Sequence, residues 1–127
     1  MRKRVLCVLV MVVLATAAFA IPYDSSQVVP VMDNNLAQIR AIGTEIQNKD
    51  YFGLAKSFYS IADGMMQVLP MDAPKGSEEH WKNTITEVIN VSFQGVGACG
   101  VQDDEAIQQA FSRLRQLMQE GHSQHRG

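Results

Sequence analysis

Four stretches of this chain carry apolar residues at intervals of three and four, and each is closed off by proline, glycine or a polar run before the next begins. That spacing is the period of an α-helix with one buried face, and no comparable alternation of period two accompanies it. The first stripe is Met32, Leu36, Ile39, Ile42 and Ile46, opening at Asp33 or the residues just before it. Asn48-Lys49-Asp50 ends it, and Asp50 suits the N-cap of the next helix. The second stripe runs Tyr51, Leu54, Ala55, Phe58, Ile61, Ala62, Met65, Met66 and Leu69, stopped by Pro70. Pro70 to Gly76 reads as a loop. Ser77 then caps a third helix that has Glu78 and Glu79 in its first turn, where the helix dipole favours acids. Trp81, Ile85, Val88, Ile89, Ser92 and Val96 form its stripe. Asp103, Asp104 and Glu105 open a fourth helix with Ile107, Ala110, Phe111, Leu114, Met118 and His122 on one face.

Between the third and fourth helices, Gly95-Val96-Gly97-Ala98-Cys99-Gly100 matches Gly-x-Gly-x-x-Gly by letter. A dinucleotide-binding loop must follow a strand and open a βαβ unit. No strand pattern precedes this one, so it reads as a glycine-terminated linker. Four amphipathic helices joined by short links predict an all-α fold, an antiparallel up-down-up-down four-helix bundle.

The N-terminus sets the compartment. Arg2, Lys3 and Arg4 precede an apolar run from Val5 to Ala15, and Ala18-Phe19-Ala20 places small residues where a signal peptidase reads. Residues 1–20 are therefore expected to be a cleaved signal peptide, making the protein periplasmic or secreted. No integral membrane span is expected after cleavage. Residues 21–30, with Pro22 and Pro30, read as a leader, and 31–127 as the bundle with its C-terminal tail. Loss of the basic residues shifts the formal charge from −2 to about −5. An acidic domain without clustered Lys or Arg argues against nucleic acid as a partner. Cys7 leaves with the signal peptide, so Cys99 has no intrachain disulfide partner. It is either a buried small apolar group or, in its glycine-rich setting, an exposed thiol. The paired acids Glu78-Glu79 and Asp103-Asp104 are accounted for as helix starts, so the chain reads as non-enzymatic, with no catalytic residue assigned.

Antiparallel order brings the start of helix 1, the end of helix 2, the start of helix 3 and the end of helix 4 to one end. Met32, Met65, Met66, Leu69, His80, Trp81, Ile85, Met118 and His122 would converge there. The C-terminal segment is the part that points to chemistry. It reads Met118-x-x-Gly121-His122-x-x-x-Arg126. This layout resembles the class II cytochrome c (cytochrome c-prime-like) superfamily and its b-type branch typified by cytochrome b562. In the class II cytochromes the last helix ends Cys-x-x-Cys-His-x-x-x-Arg. Here Met118 and Gly121 stand at the cysteine positions, which excludes covalent attachment. Met32-Asp33-Asn34-Asn35-Leu36, and the loop Pro70 to Ser77 followed by Trp81, are similar to that family as well.

The resemblance implies a small exported haem protein and one-electron carrier. Haem b would be held non-covalently, with Met32 and His122 as the axial metal ligands, Trp81 and Ile85 lining the pocket, and Arg126 paired with a propionate. Its partner would be a redox protein, and the chain itself a monomer or weak oligomer. Two other readings stand beside it. Gly121 is a helix-ending signal, so the helix stops at Glu120 and His122 to Gly127 form a polar tail of a haem-free bundle with a structural or interaction role in the cell envelope. Alternatively His80, His122 and His125 bind a transition metal.

Overall fold

In the computed structural model residues 21–125 are described. The expected signal peptide, residues 1–20, and Arg126 lie outside them. Four helices follow one another: α1 (Ser25–Asn48), α2 (Tyr51–Val68), α3 (Glu78–Gly100) and α4 (Asp104–His125). α1 packs on α2, α2 on α3 and α3 on α4, while α1 and α4 touch only sparsely. The result is the expected up-down-up-down bundle with one thin seam. Among the described residues no helix is long and apolar enough to cross a membrane.

The expected stripes make the core. Ile42, Leu54, Phe58, Ile61, Ile85, Ile107 and Leu114 are essentially inaccessible, and Leu117 and Val68 join them. Some positions depart from the pattern, Met66 on α2 and His122 on α4 being exposed. Leu36 is half exposed, whereas Asn35 beside it is buried.

The polar ends of the helices behave as capping chemistry requires. The Asp50 carboxylate accepts from the Gly53 amide at 2.9 Å, Ser77 Oγ from the His80 amide at 3.2 Å, and Asp103 Oδ1 from the Ala106 amide at 3.1 Å. Two expectations fail. Residues 25–30 are helical rather than leader: Asp24 caps α1, accepting from the Ser26 amide at 2.9 Å and from the Ser26 hydroxyl at 2.6 Å. Pro30 sits inside the helix, where its ring removes one amide donor. The anchor that holds this extra turn is Val28, only 2 % exposed. Nor does the glycine-rich segment form a linker. α3 runs through it to Gly100, and the chain turns at Gln102 with φ 54°. The α1–α2 turn likewise uses a left-handed Lys49, φ 50°, and not a glycine.

At the α1–α2 turn and the start of α4, a polar clamp ties the first link to the last helix. Asp104 accepts from the Tyr51 hydroxyl at 2.7 Å and from Lys49 Nζ at 3.1 Å. These two hydrogen bonds, Tyr51 first, hold the Asp104 carboxyl below its usual range. At the opposite end the α2–α3 loop is stitched down. Lys82 Nζ donates to the carbonyls of Leu69 and Met71, Trp81 Nε1 to Met71 at 3.0 Å, and the Ala73 amide to Glu78 Oε1 at 2.7 Å. The chain preceding α1 joins it: the Asp72 amide donates to the Ile21 carbonyl at 2.8 Å.

Candidate functional site

Because α1 and α4 barely touch, the end of the bundle that holds the α2–α3 loop opens into a cleft of about 330 Å³. α1 contributes Val28, Val29, Met32 and Asn35, and α3 contributes Trp81, Thr84, Ile85 and Val88. α4 supplies Leu117, Met118, Gly121, His122 and His125, with Tyr23, Met65 and Pro74 completing the wall. Its surface is mainly apolar, with polar groups from few side chains, which is the make-up of a small-molecule or cofactor site.

Met32, Trp81, Ile85 and His122 all line this cleft, whereas Met66, Leu69 and His80, expected at the same end, do not. Met32 is partly buried on α1, Trp81 and Ile85 are buried on α3, and His122 stands exposed at the rim on α4. Arg126 lies outside the described residues. Met118 and Gly121, the positions of the missing cysteines, line the same cleft. The expected stop at Gly121 does not occur, for α4 continues to His125. A Cβ at Gly121 would meet only Thr84 Cγ2, at an ordinary 3.6 Å, so this glycine marks neither a cap nor a steric necessity.

What carries α4 past Gly121 is His125, which sequence reasoning placed in a tail or among loose metal ligands. It is 4 % exposed. Its Nδ1 lies 2.7 Å from the Lys75 carbonyl. A carbonyl only accepts, so Nδ1 carries the proton and Nε2 offers a lone pair. That lone pair meets His80 Nδ1 at 2.6 Å, so His80 donates. The two rings are nearly parallel, 29° apart, with centroids at 4.9 Å. With nitrogens this close, the rings meet nitrogen to nitrogen, in a hydrogen bond rather than a face-to-face stack. Trp81 presents an edge-to-face contact at 5.3 Å, and Tyr23 packs edge-on against Trp81 at 6.2 Å. Gly76 makes the approach feasible: its φ is +81°, and a Cβ there would stand 2.9 Å from the Gln124 carbonyl oxygen. The i,i+3 spacing of His122 and His125 was the only signal for any of this, and it does not say which ring turns inward.

Deeper in the cleft, Asn35 is 3 % exposed, and its Oδ1 has no hydrogen-bond partner. Its Nδ2 donates to the Met65 sulfur at 3.1 Å and faces the Met32 sulfur at 3.9 Å. Sulfur is a weak acceptor, so this amide is poorly paid in hydrogen bonds for its burial. Asn35 escaped the sequence reading because a polar residue beside an apolar stripe is ordinarily solvated.

Cys99 lies in the helical core at 4 % exposure, which decides between the two readings left open for it. Burial, and secondarily the Glu45 carboxylate, push its thiol pKa up, so it has no nucleophilic character. Among the described residues no three His, Cys, Asp or Glu side chains come together as a metal cluster. No protein-family model, no curated protein and no solved structure matches the chain.

Proposed function

We propose that this exported bundle holds a haem b non-covalently in the cleft between α1 and α4 and serves as a one-electron carrier. One observation supports this above the others: Met32 and His122, from the first and last helices, line a single apolar cleft. The Met32 thioether and the His122 imidazole would hold the group, which when bound would supply a one-electron iron centre.

The chain's own residues would do the rest. His122 would offer a ring nitrogen from the last turn of α4, and Met32 its sulfur from α1. Asn35 Nδ2 would restrain the thioethers of Met32 and Met65. Trp81 and Ile85 would give flat and branched apolar walls that exclude water, and Arg126, by resemblance alone, would meet a propionate. The donor set and the lining fit the group. The volume lies at the small end for ligand sites, so α1 and α4 would have to separate to admit the group. Those are the two helices with the least contact to lose. Haemin added to the purified protein tests the proposal. A six-coordinate low-spin spectrum is expected, reverting to high spin in His122→Ala and in Met32→Ala. An unchanged haemin spectrum would remove the cytochrome reading.

A second reading is favoured by the exposure of His122 and by a core that runs continuously along the bundle. In it the chain is a haem-free interaction or structural bundle of the cell envelope. It predicts the same thermal midpoint with and without haemin, whereas a cofactor that binds the folded state raises the midpoint with concentration.

A further inference from the structure

The three histidines of the chain all lie at one end of the bundle, yet only His122 has a part in the proposed function. We propose that the last turn of α4 is a gate to the cleft, latched shut by His125 against His80 and the Lys75 carbonyl. This rests on the cleft being a binding site, whatever its occupant, and goes beyond the haem reading in assigning its entry route.

The geometry assembles a latch from parts on three elements. His125 comes from α4, His80 from the first turn of α3, and Lys75 from the loop between α2 and α3. Both ring nitrogens of His125 are engaged, at 2.7 Å and 2.6 Å. The same ring forms part of the cleft lining, as do Gly121 and His122 just before it and Pro74 beside Lys75. Undocking His125 therefore moves one wall of the cleft away from the loop. From the α1 side that wall has little support, because α1 lies sparsely against α4. The hinge is at hand as well: Gly121, at the start of the gate, lacks a side chain to lock it. The last turn is also where a helix runs out of carbonyl partners, so its cohesion depends on such contacts.

The tautomers make the latch specific. With the His125 proton fixed on Nδ1 by Lys75, only a donor at position 80 satisfies Nε2. Glutamine at 80 can still donate a hydrogen bond, whereas alanine leaves a buried nitrogen without a partner.

Amide hydrogen exchange on the ligand-free protein reads the gate directly. In His125→Ala and His80→Ala, amides of residues 121–125 should exchange about tenfold faster, the loss expected for one hydrogen bond. Those at Leu114 and Leu117 should keep the wild-type rate, and His80→Gln should restore most of the protection. Anilinonaphthalene sulfonate, an apolar dye small enough for the cleft, should associate faster by a similar factor in the two alanine variants. Equal exchange at residues 121–125 in all four proteins would overturn the latch, and so would acceleration spread evenly over α4. Dye association unchanged despite faster exchange would overturn the gate. Haemin failing to bind any variant would count against the haem reading alone, because exchange and dye entry do not depend on it.

Discussion

Gly95 and Gly97 stand two residues apart in the segment whose letters suggest a linker, and alanine at each should act in opposite directions. Gly95 is buried in α3 against the ring of Phe58, which is itself inaccessible to solvent. A Cβ there would sit 2.6–2.8 Å from ring atoms Cδ1, Cγ and Cδ2. Cγ is the root of the ring, so no rotation of a flexible end relieves the overlap. The strain belongs near the top of the range for overpacked cores, about 3 kcal/mol. Against it stands the backbone gain of alanine over glycine within a helix, about 1 kcal/mol. Gly95→Ala should therefore lose about 2 kcal/mol, or roughly 10 °C in thermal midpoint. Gly97 has no atom within 4 Å of its added Cβ, and it lies in the last turn of the same helix. Gly97→Ala should gain roughly 0.5–1 kcal/mol. Urea unfolding followed by far-ultraviolet circular dichroism measures both. If the two variants shift together, or neither shifts, the segment is not a packed helix and the reasoning from Phe58 fails.

Asp104→Asn should remove an acid-sensitive contribution. A carboxyl held below its unfolded value stabilises the protein above that value, and the contribution disappears as pH falls through the folded one. Wild type should thus be more stable than the variant at pH 6, and the difference should shrink as pH falls below the ordinary carboxylate range. Asn35→Leu should raise stability by about 1 kcal/mol, since it removes an orphaned buried oxygen while keeping the branched shape of the side chain; a loss of that size would mean that the carboxamide has a partner. The Cys99 thiol should resist a disulfide reagent in the folded protein and react at once in denaturant, because burial both shields it and raises its pKa. Rapid labelling of the native state would contradict its place in the core.

Helix identities were legible because they rest on local chemistry. Asp50, Ser77 and Asp103 cap where their side chains satisfy free amides, and Pro70 stops α2. Convergence of Met32, Trp81, Ile85 and His122 followed from antiparallel order alone. The failures share another cause: tertiary contacts overrode local preference. Val28 drew Pro30 into a helix that proline alone argues against. Phe58 needed a residue without a side chain opposite it, so Gly95 is a packing glycine and not a terminator. His125, docked on Lys75 and His80, kept α4 going beyond Gly121. Phe58 lies far from Gly95 in sequence, as Lys75 and His80 do from His125, so no window of neighbouring residues could reveal those contacts.

The thin seam between α1 and α4 has a consequence for how the chain reaches its fold. Every strong interface joins helices adjacent in sequence, so nearly all the long-range ordering is accomplished by closing short loops. Low contact order of this kind places folding in the microsecond to millisecond range. Among the described residues, the closure that brings the first and last helices together contributes least, so it belongs after the main barrier. Mutations along that seam should speed unfolding while leaving the folding rate alone.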